Sequence, residues 1–555
     1  VLPRDEVLLR DEVLRRDAAR CDQTRQNAVA ATQLDLHKRV AAGLQRRLAG
    51  HGAVRTIQTH ISTVLLAGAD AYKLKKPVAL GFLDFSTLAA RRQACEDELR
   101  LNRRTAPGLY LDVVPIIGTP EAPMLGAPDA PAADVIDYAV HMRRFDETQV
   151  LDSLAQRGAL PLSLMAPLGR AVAQLHAQAA VAPLSAGYGT AETVRRWTAG
   201  TITALREHTL AAADRARLDA LALWCEAQEQ RYGALIETRR RQGRVRECHG
   251  DLHLGNFVLL EGAPLLFDAL EFNAELRFID VMSDVAFLWM DLADHDLPMH
   301  AAHVLDGWLE ECGDADGLPL LRYFAVYRAL VRGYVALLRA QQPDVPVVGR
   351  VREHTSFAHY LALAERLQVP QPTLVVMTGL SGSGKSTIAA ILAERLGGVR
   401  VRSDVERKRL AGIDWRSAAA SAPQLYSAEM TARTYARLQQ VADAALSAGV
   451  PVVVDAASLR AHERRALIGL AKSSHVGAVT VECTAPLDIL RHRVAQRAER
   501  GVDPSDATVA VLESQLQWRE PASADESAHW MQMDTAAAEA TQRAACDAVL
   551  ARLGA

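Results

Sequence analysis

At 555 residues the chain has room for two or three domains, and its 49 % apolar residues can supply sizeable cores. A net charge of −3 argues against a general nucleic-acid binder, and no apolar run approaches the ~18–20 residues of a membrane helix. Seven scattered cysteines without a Cys-x-x-Cys pair suggest neither a zinc site nor a disulfide framework, so a reducing cytoplasm is the expected home.

Residues 1–30 read as a peripheral charged segment. Arg4-Asp5-Glu6-Val7-Leu8 recurs as Arg10-Asp11-Glu12-Val13-Leu14, which reads as a frayed charged helix or an extended start site, or else as a docking helix, with no apolar core of a secretory signal. Leu34 to Leu48 reads as an amphipathic helix. Val54 to Leu66, a turn at Gly68–Asp70, and Ala71-Tyr72-Lys73-Leu74-Lys75 read as a β-hairpin or meander. A helix is expected from about Ser86 to Arg104, capped by Ser86 or Thr87. Val113–Ile117 and Asp137–Met142 read as strands on either side of a Pro/Ala loop. Leu151 to Gln242 is rich in Ala, Leu and Arg and helical by pattern, as a core and substrate wall would be. A polar loop at Glu247–Asn256 then leads to a short strand, Pro264–Phe267, that ends on Asp268. Helices resume from Asp280 to about Leu367. Pro370-Gln371-Pro372 cannot continue a helix, and from Leu374 strands and helices alternate as in a parallel α/β domain. The expected regions are therefore 31–367 and 373–555.

Three polar residues of the first region point to chemistry. Asp251 and Asn256 have the D-x-x-x-x-N spacing of a kinase catalytic loop, and Asp268 follows on the next strand turn. A hydroxyl nucleophile needs a carboxylate to take its proton, the role expected of Asp251. Mg²⁺ on ATP phosphates needs hard oxygen ligands, which Asn256 and Asp268 offer. A strand lysine should hold the α- and β-phosphates and a helix carboxylate should orient it. Lys73 and Glu98 have the right chain order for this. Lys75 and Lys76 rival Lys73, and Glu96 and Asp97 rival Glu98. Lys73 and Lys75 share a strand face, so spacing does not separate them. His249 and His253 read as structural, because no cysteine or third histidine has ligand spacing.

His249-Gly250-Asp251-Leu252-His253-Leu254-Gly255-Asn256 resembles the signature of aminoglycoside phosphotransferases and choline kinase-like enzymes. Thr59-His60-Ile61-Ser62, Ala71 to Val78 and Gly81 to Ser86 resemble a bacterial group in which such a domain is fused to a P-loop kinase domain. The resemblance covers most of the chain beyond residue ~50. It implies an α+β, two-lobed protein-kinase-like fold for the first region. No G-x-G-x-x-G loop precedes Lys73, so Thr59-His60-Ile61-Ser62 would cover the phosphates instead.

The second region opens on Gly379-Leu380-Ser381-Gly382-Ser383-Gly384-Lys385-Ser386-Thr387, a phosphate-binding G-x-x-x-x-G-K-[ST] loop without a gap. An apolar strand, Leu374–Met377, precedes it, and a helix, Ile388–Leu396, follows it and is closed by Gly397-Gly398. Glycines let backbone N–H groups turn around an anion, and the helix N-terminus adds partial positive charge. Lys385 would reach the β- and γ-phosphates and Ser386 would bind Mg²⁺. Val450-Pro451-Val452-Val453-Val454-Asp455 reads as an apolar strand ending in a carboxylate that would hold Mg²⁺ or its water, or cap a helix. After Val399–Arg402, Asp404 would accept or orient an acceptor hydroxyl, or cap a helix, and Arg407 would pair with an acidic group. Arg493 and Arg497, at i and i+4, share a helix face and would neutralise the transferring phosphoryl group, or form a solvated stripe. Asp503-Pro504-Ser505-Asp506-Ala507 resembles the lid end of gluconate kinase-like and zeta-toxin-like P-loop kinases.

The expectation is a two-domain, ATP- and Mg²⁺-dependent phosphotransferase acting on a hydroxyl of a small molecule, without membrane or nucleic-acid partners. Two alternatives stay open. One is a nucleotide-sensing regulator in which one domain binds ATP without turnover. The other is a toxin-like kinase acting on nucleotide sugars or nucleic-acid ends.

Overall fold

The computed structural model describes residues 32–59, 61–80, 83–342, 345–417, 423–500 and 507–554. The expected peripheral segment 1–30, His60, Gly81, Phe82 and Asp503–Asp506 lie outside them. No helix among the described residues is long and apolar enough to cross a membrane. The described residues group into two compact units. The first runs to Leu154 and takes in His249–Asp251 and Gly255–Arg277. The second comprises Ala155–Cys248, Leu252–Leu254 and the chain from Phe278 onward. The expected boundary at Pro370–Pro372 falls inside the second unit.

The first unit is built on a six-stranded antiparallel sheet. Its spatial order is Val54–Gln58, Ser62–Ala67, Asp70–Lys75, Val135–Arg143, Tyr110–Gly118 and Pro123–Leu125. The run expected from Val54 to Leu66 is two strands. The Thr59 hydroxyl accepts the N–H groups of Ile61 and Ser62 and turns the chain there. Period-two alternation then sorts the faces. Tyr72 and Leu74 join Val40, Leu44, Leu65, Ile116 and Ala139 in one core under the helix 32–48. Lys73 and Lys75 are left on the opposite face. There the helix Leu88–Asn102 lies, capped by Thr87, whose side chain accepts the Ala90 N–H. A hairpin of Phe257–Leu260 and Ala263–Leu266 turns at Glu261 and Gly262, both with positive φ.

Among the described residues the second unit joins the helices that lie between Met165 and Gln368 to a parallel sheet. The helices Met165–Gln178 and Pro298–Cys312 touch backbone to backbone. A Cβ on Gly169 would meet Val304 O at 2.1 Å, and one on Gly307 would meet Ala166 O at 2.2 Å. The five-stranded sheet has the order Val399–Arg402, Val452–Asp455, Thr373–Thr378, Gly477–Thr484, Trp530–Asp534, and all its pairings are parallel. The strand before the phosphate loop is central and fully apolar from Leu374 to Met377. Helix and sheet regions are tied within this unit by part-buried polar contacts. Arg322 donates to Leu367, Ala448 and Gly449 carbonyls, Arg409 to the Glu310 carbonyl, and Arg437 to the Gly313 carbonyl. The Asp306 carboxylate accepts the Arg400 N–H at 2.6 Å.

Candidate active sites

In the first unit the sheet carries Lys73 towards the helix Leu88–Asn102. Its ammonium donates to Glu98 Oε1 at 2.9 Å and also to Asp268. Lys75, one pleat along, donates to the other Glu98 oxygen and to Glu271. The rival carboxylates point away: Glu96 pairs with Arg92 and Asp97 with Arg100 on the exposed helix face. Lys76 reaches the Thr59 carbonyl. Glu98 is thus the carboxylate the packing selects, and both Lys73 and Lys75 meet it.

Asp268 has φ 61, a left-handed conformation uncommon outside glycine. Two side chains hold it there. Its own N–H donates to Tyr110 Oη at 3.1 Å, and the Ala269 N–H donates to Asn102 Oδ1 at 2.9 Å. Asn256 Nδ2 donates to the Asp251 carbonyl at 2.8 Å and to its carboxylate at 3.1 Å, which sets the two residues together. His249 uses both ring nitrogens: Nε2 bonds the Phe267 carbonyl at 2.9 Å, and Nδ1 accepts the Asp251 N–H at 3.3 Å.

Charge is balanced closely. Burial alone would lower the Lys73 pKa, but Asp268 and Glu98 outweigh it and raise it well above the ordinary lysine value. Burial works against the Asp268 charge, yet Lys73 prevails and holds its carboxyl below the usual range; the side chain remains 41 % exposed. Burial raises Glu271 despite its lysine neighbours. Glu271, Tyr110 and Asn102 carried no motif in the sequence. Glu271 follows Asp268 by three residues, and that proximity was the one available signal.

In the second unit the phosphate loop lies between Thr373–Thr378 and the helix Lys385–Leu396. Gly379, Gly382 and Gly384 all have positive φ, and a Cβ on Gly379 would meet Cys483 O at 2.4 Å. Lys385 Nζ donates to the Leu380 carbonyl at 2.8 Å and lies 3.5 Å from Ser383 Oγ. Burial lowers its pKa. Ser386 Oγ donates to Asp455 Oδ1 at 3.2 Å. Among the described residues Asp455 Oδ2 is buried without a hydrogen bond, and Arg402 Nε stands 3.8 Å from it. A hydroxyl beside an unsatisfied carboxylate oxygen is the hard donor set that suits Mg²⁺.

Arg493 donates to Gly382 O at 3.4 Å, Thr535 Oγ1 at 3.1 Å and Thr535 O at 2.9 Å. Arg497 donates to Ala507 O at 3.1 Å. Thr535 Oγ1 bonds the Ser383 carbonyl at 2.8 Å, pinning the loop from the end of the last strand. Arg402 takes the helix N-cap position and Asp404 lies in the first turn. Among the described residues Arg407 donates to the Leu425 carbonyl at 2.8 Å and to Thr431 at 3.2 Å, rather than to a carboxylate, and its Nε is buried without a partner. Lys385, Ser386, Thr387, Asp404, Arg407, Asp455, Arg493 and Arg497 all line one cavity of about 930 Å³. That volume suits a nucleotide with a small acceptor.

A separate buried cluster, His176, Cys248 and Asp284, brings its ligand atoms within 4.8 Å of one another. Trp308 Nε1 donates to His176 Nδ1 at 3.1 Å, so Nε2 keeps its proton and gives it to Asp284 at 3.1 Å. A protonated Nε2 does not suit a metal ion.

A family model described as an AAA domain matches residues 374–522. An uncharacterized protein of Mycobacterium tuberculosis is 28 % identical over 469 residues, spanning 83 % of this chain and 90 % of its own. A gluconokinase from Sinorhizobium meliloti 1021 aligns at 21 % identity and TM-score 0.25, covering 34 % of this chain and 96 % of its own. A Plasmodium vivax ethanolamine kinase aligns at 10 % identity and TM-score 0.36, covering 57 % and 82 %. With the loop geometry, the family match makes residues 374–522 a P-loop α/β domain, as the motif implied. In the first unit Lys73 meets Glu98 and Asp268, and Asn256 meets Asp251.

Proposed function

We propose that the chain is an ATP-dependent phosphotransferase with two nucleotide sites, each passing the γ-phosphoryl group to a hydroxyl of a small molecule. The observation that carries this reading is the Ser386–Asp455 pair beside Lys385 at the mouth of the phosphate loop, opening on a cavity that also holds Asp404, Arg493 and Arg497. Bound there, Mg²⁺ would be held by Ser386 and Asp455 and would draw charge from the phosphate oxygens. Lys385, Arg493 and Arg497 neutralise the equatorial oxygens in transit. The acceptor oxygen forms the new bond to γ-phosphorus, the bond to the β,γ-bridging oxygen breaks, and its electron pair leaves on ADP. The acceptor's proton goes to the Asp404 carboxylate.

In the first unit Asp251 would take the acceptor's proton, Lys73 would hold phosphate, and Asn256 and Asp268 would hold Mg²⁺. Lys73 must release Asp268 for that carboxylate to serve a metal. The same contact supports a second reading, in which this site binds nucleotide as a regulator without turning it over.

Mass spectrometry of a metabolite extract incubated with ATP tests both readings. Wild type, Asp251→Asn, Lys385→Ala and the double variant are compared. Two separate sites give two product sets, each lost with one variant; loss of a general base costs roughly 10²–10⁴ in rate. If Asp251→Asn alters no product and Lys385→Ala removes all, the first unit is a binding module. If wild type makes no product, the phosphotransfer reading fails.

A further inference from the structure

The helix Val509–Trp518 carries a carboxamide to the phosphate loop. Gln515 is 7 % exposed, and its Oε1 accepts the N–H of Ser381 at 2.8 Å. That bond decides which way the amide faces. A backbone N–H can meet only an acceptor, so oxygen lies on the loop and Nε2 is turned away from it. Nε2 makes no hydrogen bond among the described residues, while Gln515 lines the cavity together with Lys385, Arg493 and Arg497. The helix is held firmly: Leu512 packs with Leu459, Leu490, Val494 and Leu380 of the loop itself. A rigid element thus presents an unspent donor beside the phosphate cradle.

We propose that Gln515 is a further catalytic residue of the P-loop site, its Nε2 donating a hydrogen bond to an oxygen of the transferring γ-phosphoryl group. This rests on the phosphotransfer reading of that site. As the γ-phosphorus leaves the ADP oxygen for the acceptor oxygen, its equatorial oxygens move relative to the loop amides. A donor fixed from a separate helix meets them in transit, and its orientation is set before the reaction begins, so it needs no reorganisation. Asp404 keeps the acceptor's proton in this scheme, and Gln515 neither gains nor loses one.

Calorimetric titration of the full chain with Mg·ADP, and with Mg·ADP plus aluminium fluoride as a planar phosphoryl mimic, tests this. The proteins compared are wild type, Gln515→Glu, Gln515→Met and Lys385→Ala. Gln515→Glu keeps an oxygen for the Ser381 N–H but sets an anion where the donor was. Gln515→Met loses both contacts. A phosphoryl donor predicts aluminium fluoride complexes weakened by about 10²-fold, Glu more than Met, with Mg·ADP affinity nearly unchanged. A residue that only braces the loop predicts the reverse order, Met worse than Glu, with Mg·ADP weakened in parallel; that result, or no change in either variant, overturns the proposal. Lys385→Ala separates the two failures. If it binds both ligands as wild type does, or if wild type binds the mimic no tighter than Mg·ADP, the phosphotransfer reading falls as well. If Lys385→Ala binds poorly and the Gln515 variants bind normally, the Gln515 proposal alone falls.

Discussion

A single carboxylate sets a pH dependence in the second unit. Asp306 accepts the Arg400 N–H, and burial raises its pKa from 3.8 to about 6, with Arg400 pulling the other way. A raised folded-state pKa means that the folded form holds the proton more tightly than the unfolded chain. Its contribution to stability is complete below pH 3.8 and is lost as pH rises through about 6. Asp306→Asn keeps an oxygen for the Arg400 N–H and removes the half-buried charge. At pH 7.5 it should stabilise the unit by ~1–2 kcal/mol, discounted because the side chain is only partly buried. The gain should vanish near pH 4, the ordinary carboxylate range. Denaturant unfolding at both pH values checks this, and an equal gain at both would remove the charge explanation.

At the scale of elements, the strand Asp70–Lys75 and the helix Leu88–Asn102 meet through paired charges. Lys75 and Glu98 are both 0 % exposed. Lys75 also holds Glu271, three residues past Asp268, so the strand, the helix and the Asp268–Glu271 segment share one buried network. Lys75→Met removes the cation and leaves two buried carboxylates facing each other. Breaking such a pair typically costs about 3–5 kcal/mol. The loss should be smaller at pH 5 than at pH 8, because protonation of Glu271, whose pKa burial already raises, relieves the repulsion. Thermal unfolding across that range is the measurement. A loss independent of pH would mean that packing, not charge, is what Lys75 supplies.

At the scale of the whole molecule, the P-loop domain is completed by helices that precede it in the chain. Asp306 takes the N–H of Arg400 on its edge strand, and Glu310 approaches Arg402 at 3.5 Å, beside Asp455. Arg409 and Arg437 donate to carbonyls at the end of the helix Pro298–Cys312. A fragment spanning residues 370–555 loses all of these. Charged hydrogen bonds are each worth about 1.5–3 kcal/mol. The fragment should therefore unfold roughly 10 °C or more below the transition that Mg·ADP shifts in the full chain. A fragment as stable as that transition would show that these contacts are incidental.

The contrast between local and distant signals follows from what each residue needs. The phosphate loop was readable because its parts are contiguous: an apolar strand, glycines with positive φ from Gly379 to Gly384, and a helix that starts on Lys385. The Asp251 and Asn256 pair was readable for the same reason, since five residues of backbone bring them together. Pattern alone also set the shared face of Lys73 and Lys75, because strand periodicity is local. It did not choose Glu98 over Glu96 and Asp97. That depends on which side of the helix packs against the sheet, and only burial shows it. Tyr110, Asn102, Thr535 and Gln515 each make a hydrogen bond to a loop far away in sequence, and single polar residues have no period to betray them. Trp530–Asp534 is a short edge strand of mixed burial, with too few residues to stand out by pattern as the element that delivers Thr535. Backbone preferences and periodicity act over a few residues and are written in the sequence. The choice of partner across a fold is made by packing and desolvation, which exist only once the chain is folded.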